Sequence, residues 1–402
     1  MRLNFSPILQ RLQQHFKSLV LSACVSLVAI IAACGGGSNS AGVGSGGTGA
    51  FNITAYSEGT ITGFGSVIVN GSRYDDTLAT VRDEDGPRNR SDLKLGMVVA
   101  VEGKIDNSNL ASANDISFDS ALLGPVSAVS GSSKTFNIIG QTVQVDDSTV
   151  FGPSLAQGFT SITAGNVLEV HGFLNAAANT LQATLIERKS NATKYKISGL
   201  IKGLQTSNRT LMIGNESFSF ANLDLGQLNN GNVVKLRLQP RTPAGAAPWE
   251  ISGYSLVVRS TLSQERGEVE GLITQINSPT QFIVSNILVD ISNASFPDGN
   301  ATLAVGSRIE AKGKLVNGIL VAQEVKLEFS GNKEIELRGT LAGLDTVAKT
   351  FVLRGVTVSY SPPVAYDKGT EASLANGVSI GVKGKLIAGT ATVKADSIKF
   401  PN

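Results

Sequence analysis

Gly96-Met97-Val98-Val99-Ala100-Val101-Glu102-Gly103 decides the fold of this chain, because the same phrase is written five times. It returns as Gly165-Asn166-Val167-Leu168-Glu169-Val170-His171-Gly172, as Gly306-Ser307-Arg308-Ile309-Glu310-Ala311-Lys312-Gly313 and as Gly377-Val378-Ser379-Ile380-Gly381-Val382-Lys383-Gly384. A degenerate copy, Gly231-Asn232-Val233-Val234-Lys235-Leu236-Arg237-Leu238, closes on Leu instead of Gly. Self-similarity at a steady spacing is the signature of repeated structural units. Within each phrase the residues alternate with period two. Val99, Leu168, Val234, Ile309 and Ile380 share one face with Val101, Val170, Leu236, Ala311 and Val382, whereas Glu102, His171, Arg237, Lys312 and Lys383 take the other. That pattern predicts a strand with one buried and one wet face. The bounding glycines fit turns or bulges where a Cβ would clash.

The phrase is one part of a longer repeated unit. A first strand is predicted to follow each of Gly59, Gly124, Gly199, Gly271 and Gly339, and a hairpin comes next. The first of these hairpins turns on Asn70-Gly71, a strong type I′ signal. A last strand ends each unit, at Ala111–Phe118, Leu181–Glu187, Ile251–Val258, Leu320–Leu327 and Val393–Phe400. Five or six short strands and little helix are therefore expected per unit. So short a sheet exposes its edges unless it closes on itself. The expected architecture is all-β, with five tandem small β-barrel domains of OB-like size at 57–120, 121–193, 194–262, 263–331 and 332–402. Domains of this length bury too little surface to be robust alone, so packing between neighbours is expected to help.

The N-terminus reads as an export signal over residues 1–33. Arg2, Arg11 and Lys17 precede an apolar stretch of 15 residues, Leu19 to Ala33. A membrane-spanning helix needs about 20. Ile31-Ala32-Ala33-Cys34 resembles the bacterial lipobox, which implies that Cys34 is lipidated and becomes the first mature residue. Leu21-Ser22-Ala23-Cys24 also fits that pattern but leaves almost no apolar core before the cut; an ordinary signal or an uncleaved anchor is the other alternative. Gly35, where the resemblance would place Asp for inner-membrane retention, implies the outer membrane, on either its periplasmic or its cell-surface face. Residues 34–56 are expected to be the lipidated Cys and a Gly/Ser-rich tether. The chain is then anchored to, not spanning, the membrane. With two Cys in all, one lost with the signal and one lipidated, no disulfide is expected.

Reactive chemistry is sparse. The chain beyond the signal has one histidine, His171, and no thiol apart from Cys34. His-rich metal sites, Ser-His-Asp triads and Cys-His pairs are not expected. No metal or cofactor is expected, and the chain reads as a non-enzyme. Carboxylate-only catalysis would need two carboxylates facing each other in a cleft. His171 is expected at the surface. Asp83-Glu84-Asp85-Gly86, with Arg82, Arg88 and Arg90 beside it, reads as a solvated, self-paired loop, with Ca²⁺ binding as the alternative.

Charge is unevenly spread although the total is only +2. Residues 57–120 carry a net −5 and residues 194–262 a net +5. The third unit also holds an insertion, Pro240 to Pro248, leading to the chain's single tryptophan, Trp249. Lys235, Arg237 and Trp249 are therefore the candidate ligand residues, for an anionic glycan, a lipid headgroup or a polyanion, with Trp249 filling the barrel as the alternative. With aromatics at 6% and no aromatic row for stacking bases, no nucleic acid partner is expected.

Gly63-Phe64-Gly65-Ser66-Val67-Ile68-Val69-Asn70-Gly71, followed by Asp92-Leu93-Lys94-Leu95 and the phrase ending at Gly103, resembles the bacterial domain-of-unknown-function 5666 family. The first copy matches well, the second, fourth and fifth loosely, and the third only in outline. The resemblance implies small β-barrels in tandem, secreted and often lipid-anchored, and brings no catalytic residues. The expected function is that of a non-enzymatic, lipid-anchored envelope protein, its repeats acting as interaction and spacer modules toward an envelope glycan or protein partner. The alternative is a binding lipoprotein for an anionic ligand through the basic third unit.

Overall fold

The first strand of every unit forms, but it begins before Gly59, Gly124, Gly199, Gly271 and Gly339 and runs through them instead of following them. A computed structural model of the chain describes residues 53–106, 110–221, 223–224, 226, 228–241, 248–257, 261–299, 302–328 and 333–401. Cys34, the export signal and positions 242–247 of the insertion lie outside the described residues. Among those described, the regular structure is β-strand apart from four short 3₁₀ segments, so the chain is all-β, built from repeated β-rich units.

The first unit holds β1 (Ile53–Phe64), β2 (Val67–Val69), β3 (Ser72–Asp75), β4 (Thr80–Asp83), β5 (Gly86–Arg88), β6 (Val98–Ile105) and β7 (Ala111–Phe118). The second holds β8 (Leu122–Ser130), β9 (Thr135–Ile138), β10 (Gln141–Gln144), β11 (Val150–Phe151), β12 (Val167–Asn175) and β13 (Thr180–Arg188). The third is β14 (Tyr195–Gln205), β15 (Thr210–Ile213), β16 (Glu216–Ser219), β17 (Val233–Leu238) and β18 (Trp249–Leu256). The fourth is β19 (Gln264–Ser278), β20 (Gln281–Val284), β21 (Ile287–Asp290), β22 (Arg308–Val316) and β23 (Ile319–Leu327). The fifth is β24 (Glu334–Asp345), β25 (Thr350–Leu353), β26 (Val356–Ser359), β27 (Ala365–Asp367), β28 (Ser379–Leu386) and β29 (Thr392–Lys399).

In the first unit β1 pairs antiparallel with β2 and β2 with β3. β3 then runs parallel to β7, β7 antiparallel to β6, and β6 back to β1. The same circuit of pairings, with the same senses, recurs in the second unit. It recurs again in the third, the fourth and the fifth. The register repeats as well: Gly59, Gly124, Gly199, Gly271 and Gly339 stand opposite Val99, Leu168, Val234, Ile309 and Ile380. All ten apolar residues of the repeated phrase, in both inward rows, are buried.

The closing glycine of the phrase sits on a β-bulge. The register shifts at Gly103, Gly172, Gly313 and Gly384. A Cβ there would come within 2.0–2.2 Å of a carbonyl oxygen on the partner strand. Only glycine fits so close an approach. The third unit shifts at the same place with Leu238, which is buried in its core.

The units are not independent beads. Residues 50–402 form one body. β1 runs parallel to β19 of unit four and to β24 of unit five, and β8 pairs with β14 across units two and three. The cores merge accordingly. One cluster spans units one and five, a second spans two and three, and a third belongs to unit four with Tyr56 of unit one packed into it. Sharing cores answers the surface-to-volume problem of 70-residue domains. It also corrects one boundary: residues 53–56, expected in the tether, are strand, held by pairing to β6 and β19.

Two fully buried carboxylates mark the seam between units one and four. Glu268 is bound by Arg266 (2.8 Å) and by the hydroxyl of Ser72 (2.8 Å). Glu270 accepts from the Thr60 backbone N–H at 2.9 Å, from Arg308 at 2.7 Å and from Lys333. Burial alone would raise the Glu270 pKa; Lys333 and Arg308 overcome that and bring it to about 2.

Candidate functional site

A cavity of about 500 Å³ lies where units one to four meet, within the size range of small-molecule sites. β1 and β6 of unit one supply Glu58, Val98 and Ala100, and Phe118 and Asp119 come from the end of β7. β12 of unit two adds Phe173 and Leu174. Unit three gives Ser198, Val233 and Lys235; unit four gives Leu272, Thr274, Ile283 and Ser285. Several of these project from the outward rows of their strands. Those rows are wet in a single unit, and the packing of units against one another encloses them.

The ionic groups of the wall are mostly paired with each other. Lys235 Nζ lies 2.5 Å from Asp119 Oδ2, and Lys196 lies 3.4 Å from Asp119 Oδ1 and 2.6 Å from Glu84. Burial pushes Asp119 upward, but Lys235 and Lys196 outweigh it and leave its pKa below the usual range. Glu84 goes the other way: burial and the charge of Asp119 raise it, against the pull of Lys196. Arg82 is held by Asp115 at 3.0 Å and Asp83 by Arg88 at 2.6 Å. Glu58 differs. It accepts a 2.5 Å hydrogen bond from the Tyr56 hydroxyl, and among the described residues no basic side chain lies within ion-pairing distance of it. Burial holds its carboxyl above the ordinary range, only partly offset by Tyr56, Lys235 and the Ser285 side chain.

Of the candidate ligand residues, Lys235 reaches this cavity as a partner of Asp119. Arg237 is half-buried on the outward row of β17, where its charge helps to lower the pKa of Asp85. Trp249 takes the alternative role of a core residue: only 5% exposed, it packs edge-on to Tyr195 at 6.0 Å and under the Arg241 guanidinium at 4.1 Å, inside the core of units two and three. The basic surface of unit three is turned inward too. Lys194 and Lys196 bind Asp85 and Glu84, so the Asp83–Gly86 loop is paired with a neighbouring unit as well as with Arg88.

His171 is also corrected. It is 1% exposed, not a surface residue, because Phe118 packs beside it at 6.4 Å across the junction of units one and two. Burial lowers its pKa against the pull of Glu169, Glu187 and Asp119. Glu58 and Asp119 escaped the sequence reading. The one available signal was an acidic residue set immediately before the repeated glycine of the first strand, at Glu58 and again at Glu270.

Among the described residues no group of three or more His, Cys, Asp or Glu side chains is placed to hold a metal ion. No helix among them is long and apolar enough to cross a membrane. No curated protein matches the chain. The domain of unknown function DUF5666 matches residues 58–117, 124–187, 270–326 and 338–399, which are units one, two, four and five. The unmatched third unit carries the same circuit of pairings and the same bulge. With four tandem matches over more than half of its length, the chain belongs to the DUF5666 family.

Proposed function

We propose that this protein is a non-enzymatic, lipid-anchored envelope protein whose five units act together as one binding module, with the central cavity as its ligand site. The observation that carries the reading is the cavity of about 500 Å³ walled by four units at once. A string of spacers has no reason to gather its modules around one space. Each unit is, on this reading, a five-stranded OB-like barrel and not a turn of a continuous β-solenoid. Its support is that pairing in each unit returns to that unit's own first strand before the chain moves on. Cys34 carries the lipid, and the Gly/Ser-rich tether sets the body off the outer membrane on its periplasmic or cell-surface side.

Glu84 and Asp119 both stand on the cavity wall with opposite shifts, an arrangement that can serve acid–base chemistry. Both are engaged by Lys196, and Asp119 also by Lys235, so we read them as counter-ions that fix the junction of units one and three. The anionic-ligand alternative draws on Lys235 as well, and that side chain is already neutralised by Asp119.

The test is a thermal-shift measurement on the full-length protein with phenethylamine, 2-phenylethanol and phenylacetate, three probes of one apolar body. A ligand that binds only the folded state raises the melting temperature. A rise with at least one probe, lost when Ala176→Trp puts a bulky side chain on the cavity wall, supports the reading. No rise with any of the three overturns it.

A further inference from the structure

The geometry points to an organic monocation, an amine carried on a small apolar body, as the ligand class of the central cavity, with Glu58 as the group that receives its charge. The inference rests on the cavity being a ligand site, as proposed above. The wall carries four carboxyl side chains, Glu58, Asp83, Glu84 and Asp119, against two basic ones, Arg82 and Lys235. Both basic groups are neutralised by aspartates, Arg82 by Asp115 and Lys235 by Asp119. Asp83 and Glu84 are answered by Arg88 and Lys196. That leaves one carboxyl on the wall without a cation of its own, and Glu58 is that group.

Glu58 is half-buried, and a carboxyl partly withdrawn from water is costlier to ionise unless a positive charge stands beside it. Here the protein supplies hydroxyl donors, Tyr56 at 2.5 Å and Ser285, and the more distant charge of Lys235, which Asp119 already holds. An incoming ammonium group would supply the missing charge and hydrogen-bond donors together. Phe118, Leu272 and Ile283 line the same cavity and offer contact to an apolar body. An anion would meet a wall with excess negative charge. A neutral molecule would fill the space but leave Glu58 unanswered.

The experiment compares the same three probes on the full-length protein by calorimetry and thermal shift, in the wild type and in Glu58→Gln. The expected result is binding of phenethylamine at least about tenfold tighter than 2-phenylethanol, a difference of about 1.4 kcal/mol, with no phenylacetate binding. Glu58→Gln should abolish that preference while 2-phenylethanol binding is unchanged, which also shows that the variant is folded. Should Glu58→Gln fail to fold, Tyr56→Phe serves instead. Removing the Tyr56 hydrogen bond leaves the Glu58 carboxyl in place and should leave the amine preference in place. Equal binding of amine and alcohol, or tighter phenylacetate binding, overturns the cation assignment and leaves the cavity reading standing. No binding of any probe overturns both.

Discussion

The Nζ of Lys235 in the third unit stands 2.5 Å from Oδ2 of Asp119, the residue that follows the last strand of the first. The most basic unit and the most acidic unit thus meet, and the charge asymmetry between them is spent inside the molecule. Lys235→Glu would set a carboxylate against Asp119 and add to the charge facing Glu58. The Lys235 side chain is 38% exposed, so solvent screens part of the cost. We expect a loss of about 1–2 kcal/mol, with Lys235→Met losing less. Denaturant titration followed by Trp249 fluorescence measures both; an unchanged midpoint for Lys235→Glu would show that the pair carries no weight.

Glu270 makes stability depend on acid. Its folded-state pKa is depressed to about 2 from an ordinary 4.5. A depressed carboxylate contributes stability that is complete above its unfolded value and is lost as the pH falls toward its folded one. The contribution is about 3 kcal/mol, and it should disappear between pH 4.5 and pH 2. Glu270→Gln should lower stability at pH 7 by a similar amount, since Arg308 and Lys333 lose their buried partner. The gap between wild type and variant should then narrow on acidification. A gap that stays constant from pH 7 to pH 3 would refute the assignment.

The bulge predicts a loss of stability from opposite substitutions at equivalent positions. Gly384→Ala places a Cβ 2.0 Å from the Lys394 carbonyl, so the strands must part. A cost of about 2 kcal/mol is expected. Leu238→Gly, which makes unit three resemble its neighbours, removes a fully buried side chain and should also cost about 2–4 kcal/mol. If unfolding curves showed Leu238→Gly to be stabilising, the leucine would be a defect and not a core residue.

Lipid attachment is open to a direct check. Cys34→Ala should move the protein from the membrane fraction to the soluble fraction of its host, with no change in the melting temperature of the folded body. Retention in the membrane fraction would mean that Cys34 is not the anchor.

The sequence by itself determined the all-β class, the number of units, the buried face of each phrase and the reason for its closing glycine. These are local matters: a period of two, a Cβ that does not fit, a turn that needs Asn70 and Gly71 at positive φ, as both are found. The tertiary structure alone decided what the outward face meets. An argument that treats one unit at a time puts His171 at the surface, leaves Trp249 between an exposed and a core role, and gives no notice to Glu58, Glu268 and Glu270. Each lies on a surface that another unit covers, as where the Ser57 hydroxyl meets Glu268, 211 residues further along the chain. Alternation along a strand tells which side faces its own core. It holds no record of a neighbour that arrives by parallel pairing of β1 with β19, so the merged cores and the cavity between the units appear only once the chain is folded.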